Sequence, residues 1–467
     1  MFSILPILLE VFFVLLKPHE LYPLLAKFQP LFLIPGLIIL GFIFDAGRYA
    51  LGANKIALAP YLWVAVGLFV WAMFTTAMHA PDTVTPEAIL FGTSLVLALS
   101  IAHALQTFRL YQIMAGGLLA LTLFLSYVAI DQAKAPTSCF YATTYDPANI
   151  PTGKSCTIPE DCPTLLDQEE GAEERFWKCE HPGLMNTSSI DLRIRFRGYL
   201  EDPNELALAT AMGLPFAFAF FERKKNVYTG ILAGLSFAMV VACIFLSQSR
   251  GGMIALGAVL ATKFVKRFGL KVGGVVMAVA AVPLMILTTM TGRSEQDAEG
   301  SATERTELLQ AGISMVTSYP IFGVGKGQFP AREFMTAHNS YVLAGAELGL
   351  VGFALWSMVF YLAVKVPVSA LRQLKEVEGP AAEECRIWST ALLASLLSGM
   401  LGSFFLSWTY HNYLWIYIGV AGALFGVVRK TLPTFRVGVS AKEVGAVLFA
   451  NAFLLGAIGG YARYKLH

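Results

Sequence analysis

Residues 110–130 read LYQIMAGGLLALTLFLSYVAI, a run without Asp, Glu, Lys or Arg, and the chain turns abruptly polar at Asp131. About 20 mainly apolar residues suffice to cross the hydrocarbon core as a helix, and a strand needs far fewer, so this run reads as a membrane span. Comparable runs lie at 2–16, 24–44, 56–78, 88–104, 205–221, 227–246, 253–262, 272–291, 341–366, 387–407, 413–428 and 444–461. The short run at 253–262 recruits Gly251 and Gly252 and continues toward Phe264. The expectation is an all-α polytopic membrane protein of twelve or thirteen transmembrane helices. Composition agrees: 56% of the 467 residues are hydrophobic and only 14% charged, against roughly 25% charged in soluble domains. A net charge of +2 gives no sign of a nucleic-acid partner. The 2–16 run lacks a basic leader and a small-residue cleavage site, so it reads as a retained span.

The connectors set the orientation. Lys and Arg concentrate at 223–225, 263–271, 365–386 and 429–442, in alternate loops, which are therefore assigned to the cytoplasmic side. The connector 79–87 carries neither and falls outside, as do 131–204 and 292–340 by alternation. The chain thus divides into N-terminal spans (1–130), an outer loop (131–204), central spans (205–291), a second outer loop (292–340) and C-terminal spans (341–467). In the second loop, 292–300 reads as flexible. Ser301-Ala302-Thr303-Glu304 matches a capping box, opening an amphipathic helix at the membrane surface with Arg305 in its first turn and Pro320 as its stop.

Four of the six cysteines, Cys139, Cys156, Cys162 and Cys179, fall in the first outer loop. They lack the paired C-x2-C knuckles of a zinc site, so disulfides in an oxidising compartment are expected. Three pairings are open. No acidic pair in the outer loops suggests a catalytic metal, and no cofactor is expected.

Six short pieces fall on the outer side: Arg197-Gly198, Asp202-Pro203-Asn204, Ser249-Arg250-Gly251, Arg305, PIFGVG at 320–325 and His338-Asn339-Ser340-Tyr341. Each has a bland reading. Arg250 can snorkel to the interface, Arg197 can be a solvated loop charge, and Asn204 and Asn339 can cap the helices they precede. Tyr341 can anchor at the interface. Gly323–Gln328 is not a nucleotide phosphate loop, because no Ser or Thr follows Lys326 and it lies on the wrong side of the membrane.

In series, with E-x-G-x-x-G at 347–352, these pieces resemble the O-antigen ligase and polysaccharide polymerase superfamily over residues 195–356. The resemblance implies a GT-C-like, metal-independent glycosyltransferase of the bacterial inner membrane, its active site facing the periplasm. The donor would be an undecaprenyl-diphosphate-linked oligosaccharide. The acceptor would be another lipid-linked repeat (a polymerase, the preferred expectation), or lipid A-core or protein (a ligase). A flippase and a chain-length regulator would accompany a polymerase. It makes Arg250, Arg305 and His338 the catalytic candidates. Arg197, Asp202, Asn204, Asn339, Tyr341 and Glu347 become substrate-binding candidates, with Asp202 or Glu347 as alternative bases. The chemistry fits: a diphosphate leaving group requires charge neutralisation, which the permanently charged arginine fork supplies, and an imidazole can take the proton of an attacking hydroxyl. The rival class is a lipid-linked glycan transporter, which would carry charges mid-span.

Overall fold

The computed structural model describes residues 2–49, 58–143, 150–158, 161–162, 175–197, 200–289, 295–333 and 335–466. Its helices are α1 (Ile4–Leu16), α2 (Pro18–Leu21), α3 (Pro23–Lys27), α4 (Pro30–Tyr49), α5 (Tyr61–His79), α6 (Val84–Ala104), α7 (Phe108–Lys134) and α8 (Pro203–Arg223). There follow α9 (Val227–Leu246), α10 (Arg250–Thr289), α11 (Glu295–Ser318), α12 (Phe329–Arg332), α13 (Ser340–Gln373), α14 (Pro380–Gly402), α15 (Asn412–Thr431) and α16 (Ala441–Leu466). Among the described residues nine of these, α5 to α9 and α13 to α16, are long and apolar enough to cross a membrane, and Ile4–Leu16 and Leu33–Asp45 are shorter apolar helices. The expected runs at 253–262 and 272–291 fall largely in α10, whose helix breaks at Gly269 (φ 78°). The protein is an all-α polytopic membrane protein.

Ion pairs sort the connectors into two sets. Glu20 meets Arg197, and Lys326 meets Glu87. At the other end Glu222 holds Lys263 and Lys266, Arg223 meets Glu384, and Lys365 meets Glu443. Each of the eight salt bridges among the described residues stays within one set. Positively charged connectors and the long polar loops therefore occupy opposite ends of the bundle.

The first polar loop adds a small sheet that hydropathy gives no hint of. Strands β1 (Ser138–Thr143), β2 (Ile150–Ser155) and β3 (Arg175–Glu180) pair antiparallel in the order β2-β1-β3. Disulfides join Cys139 to Cys162 and Cys156 to Cys179, selecting one of the three connectivities. The loop is anchored to α7, where the Gln132 side chain donates to Thr187 Oγ1 and accepts from Arg195 N–H. Arg193 Nε donates to the Ser247 carbonyl at 3.1 Å, so the loop's end grips the turn that precedes Arg250.

The second loop departs from expectation. α11 starts at Glu295, so Ser301 is inside the helix rather than its cap, and Arg305 lies about three turns in. Nor does the helix lie flat on the membrane. Gly312 faces Val342, Val316 faces Gly345, and Ile321 meets Gly349, so α11 runs parallel to α13 and descends beside it. Gly349 is ten residues, about 15 Å of helix, beyond the cap of α13. PIFGVG is thus the floor of a re-entrant segment.

Irregular backbone at that depth requires every polar group to be satisfied by protein. Here the helix of α13 itself opens at Gly349 (φ 67°) and exchanges bonds with the loop. Val324 N–H donates to the Ala346 carbonyl, Gly325 N–H to that of Glu347, and Leu350 N–H to that of Pro320. Trp71 Nε1 donates to the freed Leu348 carbonyl at 2.9 Å, and Phe322 stacks on the Trp71 ring. A Cβ at Gly349 would stand 2.2 Å from the Ile321 carbonyl oxygen, and one at Gly323 2.4 Å from that of Glu347. P-x-F-G-x-G and E-x-G-x-x-G are therefore two halves of one knot. Gly349→Ala combines a left-handed backbone with a backbone clash, and we expect a loss of roughly 2–5 kcal/mol, read as a collapse of the folded fraction in detergent, while Gly234→Ala, with open space around it, leaves the protein intact.

Candidate functional site

At the polar-loop end, α8 begins with Asp202, not Asn204, as its N-cap: Asp202 Oδ1 accepts from Asn204 N–H at 2.7 Å and from the Asn204 amide. Asn204 is instead a bridge. Its Oδ1 accepts from Ser249 Oγ at 2.8 Å, and that hydroxyl accepts in turn from Gly252 N–H. This pins the start of α10 to the start of α8 and leaves Arg250 exposed as the first residue of α10, with no salt bridge among the described residues. Gly251 and Gly252 permit the approach, since a Cβ on either would press on Phe405 or on Ala207.

The His338–Tyr341 motif is mostly scaffold. Asn339 caps α13, accepting from Tyr341 and Val342 N–H, and its amide donates to the Phe404 carbonyl. Ser340 binds the 403–409 loop through Ser403, Leu406, Trp408 and Thr409. The Tyr341 ring is buried against Phe404 and Trp356 with its hydroxyl on the Met400 carbonyl, so it offers no face to a sugar. His338 differs. It sits half-buried at a left-handed φ of 47°, set apart from the helix that its neighbours build. Burial holds its imidazole below the ordinary histidine range; Arg305 pushes the same way, and Asp202 and Glu304 push back. The structure thus places the Arg305 and Asp202 charges where both act on His338. Arg250 joins the same end through Gly251 and Phe405, next to Phe404.

Two candidates lie elsewhere. Glu347 is buried, and its Oε1 accepts from Gly327 and Phe329 N–H, bracing the re-entrant loop. Arg197 reaches Glu20 and the Met185 carbonyl, each at 3.4 Å, tying the first connector to the polar loop; its neighbour Gly198 lies outside the described residues.

Sequence reading missed the loop between α14 and α15. Trp408 Nε1 donates to Glu205 Oε1 at 3.1 Å, and its indole stacks on His411. Beyond it the Lys326 ammonium lies 4.7 Å from the Tyr410 ring centre while paired with Glu87. The cue was an acidic residue directly after Asp202-Pro203-Asn204, absorbed into an apolar run. Among the described residues the one group of side chains close enough to share a metal is Cys139, Cys156 and Cys162, all in disulfides.

Residues 234–357 match the family described as O-Antigen ligase (Wzy_C). The match contains Arg250, Arg305 and His338 and ends before the 403–411 loop. Over 214 residues the chain is 25% identical to the exopolysaccharide production protein ExoQ of Rhizobium meliloti (strain 1021), covering 39% of this chain and 48% of that protein. The matched part thus spans about half the length of that relative. The family match covers the motif series from Ser249 onward, with the three catalytic candidates, while Arg197 and Asp202-Pro203-Asn204 lie before it.

Proposed function

We propose that this protein is a metal-independent glycosyltransferase of the bacterial inner membrane that polymerises undecaprenyl-diphosphate-linked repeat units at the periplasmic face. The observation that carries the reading is the grouping of His338 with Arg305 and Asp202, at the end of the bundle where Arg250 heads α10. The acceptor hydroxyl attacks the anomeric carbon of the donor sugar, and His338 takes its proton. The bond from that carbon to the diphosphate oxygen breaks, and the departing lipid diphosphate keeps the electron pair. Arg250 and Arg305 neutralise its charge. Polymerisation is preferred because the relative is named for exopolysaccharide production. The family's description favours a second reading, ligation of the glycan to lipid A-core or protein.

Purified protein given lipid-linked repeats alone should yield a ladder of longer lipid-linked chains, undiminished by EDTA. A product formed only when lipid A-core is added supports ligation. Loss of activity in EDTA, restored by a divalent ion, rejects catalysis by arginine and histidine alone.

The sidedness has its own test. In intact spheroplasts a membrane-impermeant maleimide should label Asp82→Cys, and should label Lys442→Cys only after permeabilisation; the reverse pattern moves the proposed site into the cytoplasm.

A further inference from the structure

The opposite end of the bundle carries a polar concavity. A pocket of about 420 Å³ opens between the end of α8, the start of α14 and the stretch of α10 just before its break at Gly269. Its rim brings Lys225, Lys263, Lys266 and Arg267 together with two carboxylates, Glu222 and Glu383, for a formal charge of +2 (four cations less two anions). Glu222 is already shared by Lys263 and Lys266, and Glu383 is held at 2.8 Å by Arg386. Lys225 and Arg267 have no salt bridge among the described residues. A bias of basic residues to this end accounts for their presence, but not for the convergence on one hollow of Lys225, from the connector after α8, with three cations of α10.

The surroundings are those of a membrane surface. Ile387 forms part of the wall. Lys263 lies with its ammonium 5.4 Å from the Phe218 ring centre. On α10 the Phe264 and Phe268 rings stack on each other and remain 38% and 47% exposed beside the pocket. Cationic head space thus adjoins exposed apolar rings at the level where the spans end. We infer that this pocket binds the phosphodiester headgroup of an anionic bilayer lipid in the leaflet opposite the candidate glycan site, with the acyl chains running along the α10 surface. A soluble phosphate would find the same cations but would not use the apolar flank.

The test uses the full chain in detergent, titrated with phosphatidylglycerol, phosphatidylcholine or inorganic phosphate, with bound lipid counted by native mass spectrometry and melting followed in parallel. Phosphatidylglycerol should bind and raise the melting temperature, and phosphatidylcholine should do neither. Each neutralised cation should weaken binding by about 5-fold, so K225Q gives about 5-fold and K225Q/R267Q about 30-fold. K442Q, on the same side but outside the pocket, should change nothing. Both pocket positions are exposed, so the lipid-free melting temperature should match the parent, and K225Q alone carries the test if the double variant does not. Equal binding of the two lipids, an equal loss in K442Q, unchanged binding in K225Q, or displacement by inorganic phosphate at the same concentration as lipid overturns the inference.

Discussion

Arg250→Ala and Arg305→Ala each lower glycan transfer by roughly 10²–10³-fold, the range found on removing a donor that stabilises developing negative charge, with protein levels in the membrane unchanged. The two positions differ in a way that makes the pair informative. Arg250 is an exposed helix head without a salt bridge among the described residues, so its loss should leave folding untouched. Arg305 stands well inside α11, where no helix-end effect explains its charge. Lysine should rescue neither well, because an ammonium cannot donate in the paired geometry a diphosphate offers. In a purified assay with lipid-linked donor, near-normal rates for both alanine variants would remove the diphosphate site, whatever the family likeness.

His338→Ala should reduce transfer by roughly 10²–10⁴-fold, with donor affinity changed less than in the arginine variants. The sharper readout is pH. A general base works in its neutral form, so the rate falls as pH drops through the His338 pKa. Burial first and Arg305 second hold that pKa below the ordinary value, so the parent's acid limb lies below about pH 6.5. Removing the Arg305 charge lets the imidazole protonate more readily and moves the limb upward. Asp202→Asn, which retains a good helix cap, removes a charge that favours protonation and moves the limb downward. A scaffold role for His338 would shift neither limb. Identical acid limbs in parent, Arg305→Gln and Asp202→Asn would sink the assignment.

The spans were legible because apolar length is a one-dimensional property: residues 110–130 are a helix in water-free surroundings whatever their neighbours do. Arg250, Arg305 and His338 were legible as residues but not as an arrangement. His338 was grouped with Asn339 and Tyr341, yet the backbone turns left-handed at His338, and the other two serve the helix and the 403–409 loop. Glu347 looked like chemistry because buried carboxylates often are; its two backbone donors, Gly327 and Phe329, come from a loop whose return path hydropathy cannot reveal. The descent of α11 was hidden for a related reason. Its apolar stripe fits a membrane surface and the flank of α13 equally well, and only Gly312 and Gly345, by admitting Val342 and Val316, decide between them. Glu205 and Trp408 come together across separate connectors, so neither stretch alone announces the other.

The cysteine bridges of the polar loop interleave, 139 with 162 and 156 with 179. Every peptide bond between the first and last of these residues is therefore straddled by at least one bridge. Sequential pairing would have left the 156–162 stretch as an unguarded break point, where a single protease cut parts the molecule in two. With the crossed arrangement, one nick anywhere in that stretch leaves the fragments covalently joined, and α7 stays leashed to α8 and to the Asp202 turn it carries. The polar loop can thus be clipped once within that stretch without surrendering the continuity of the chain.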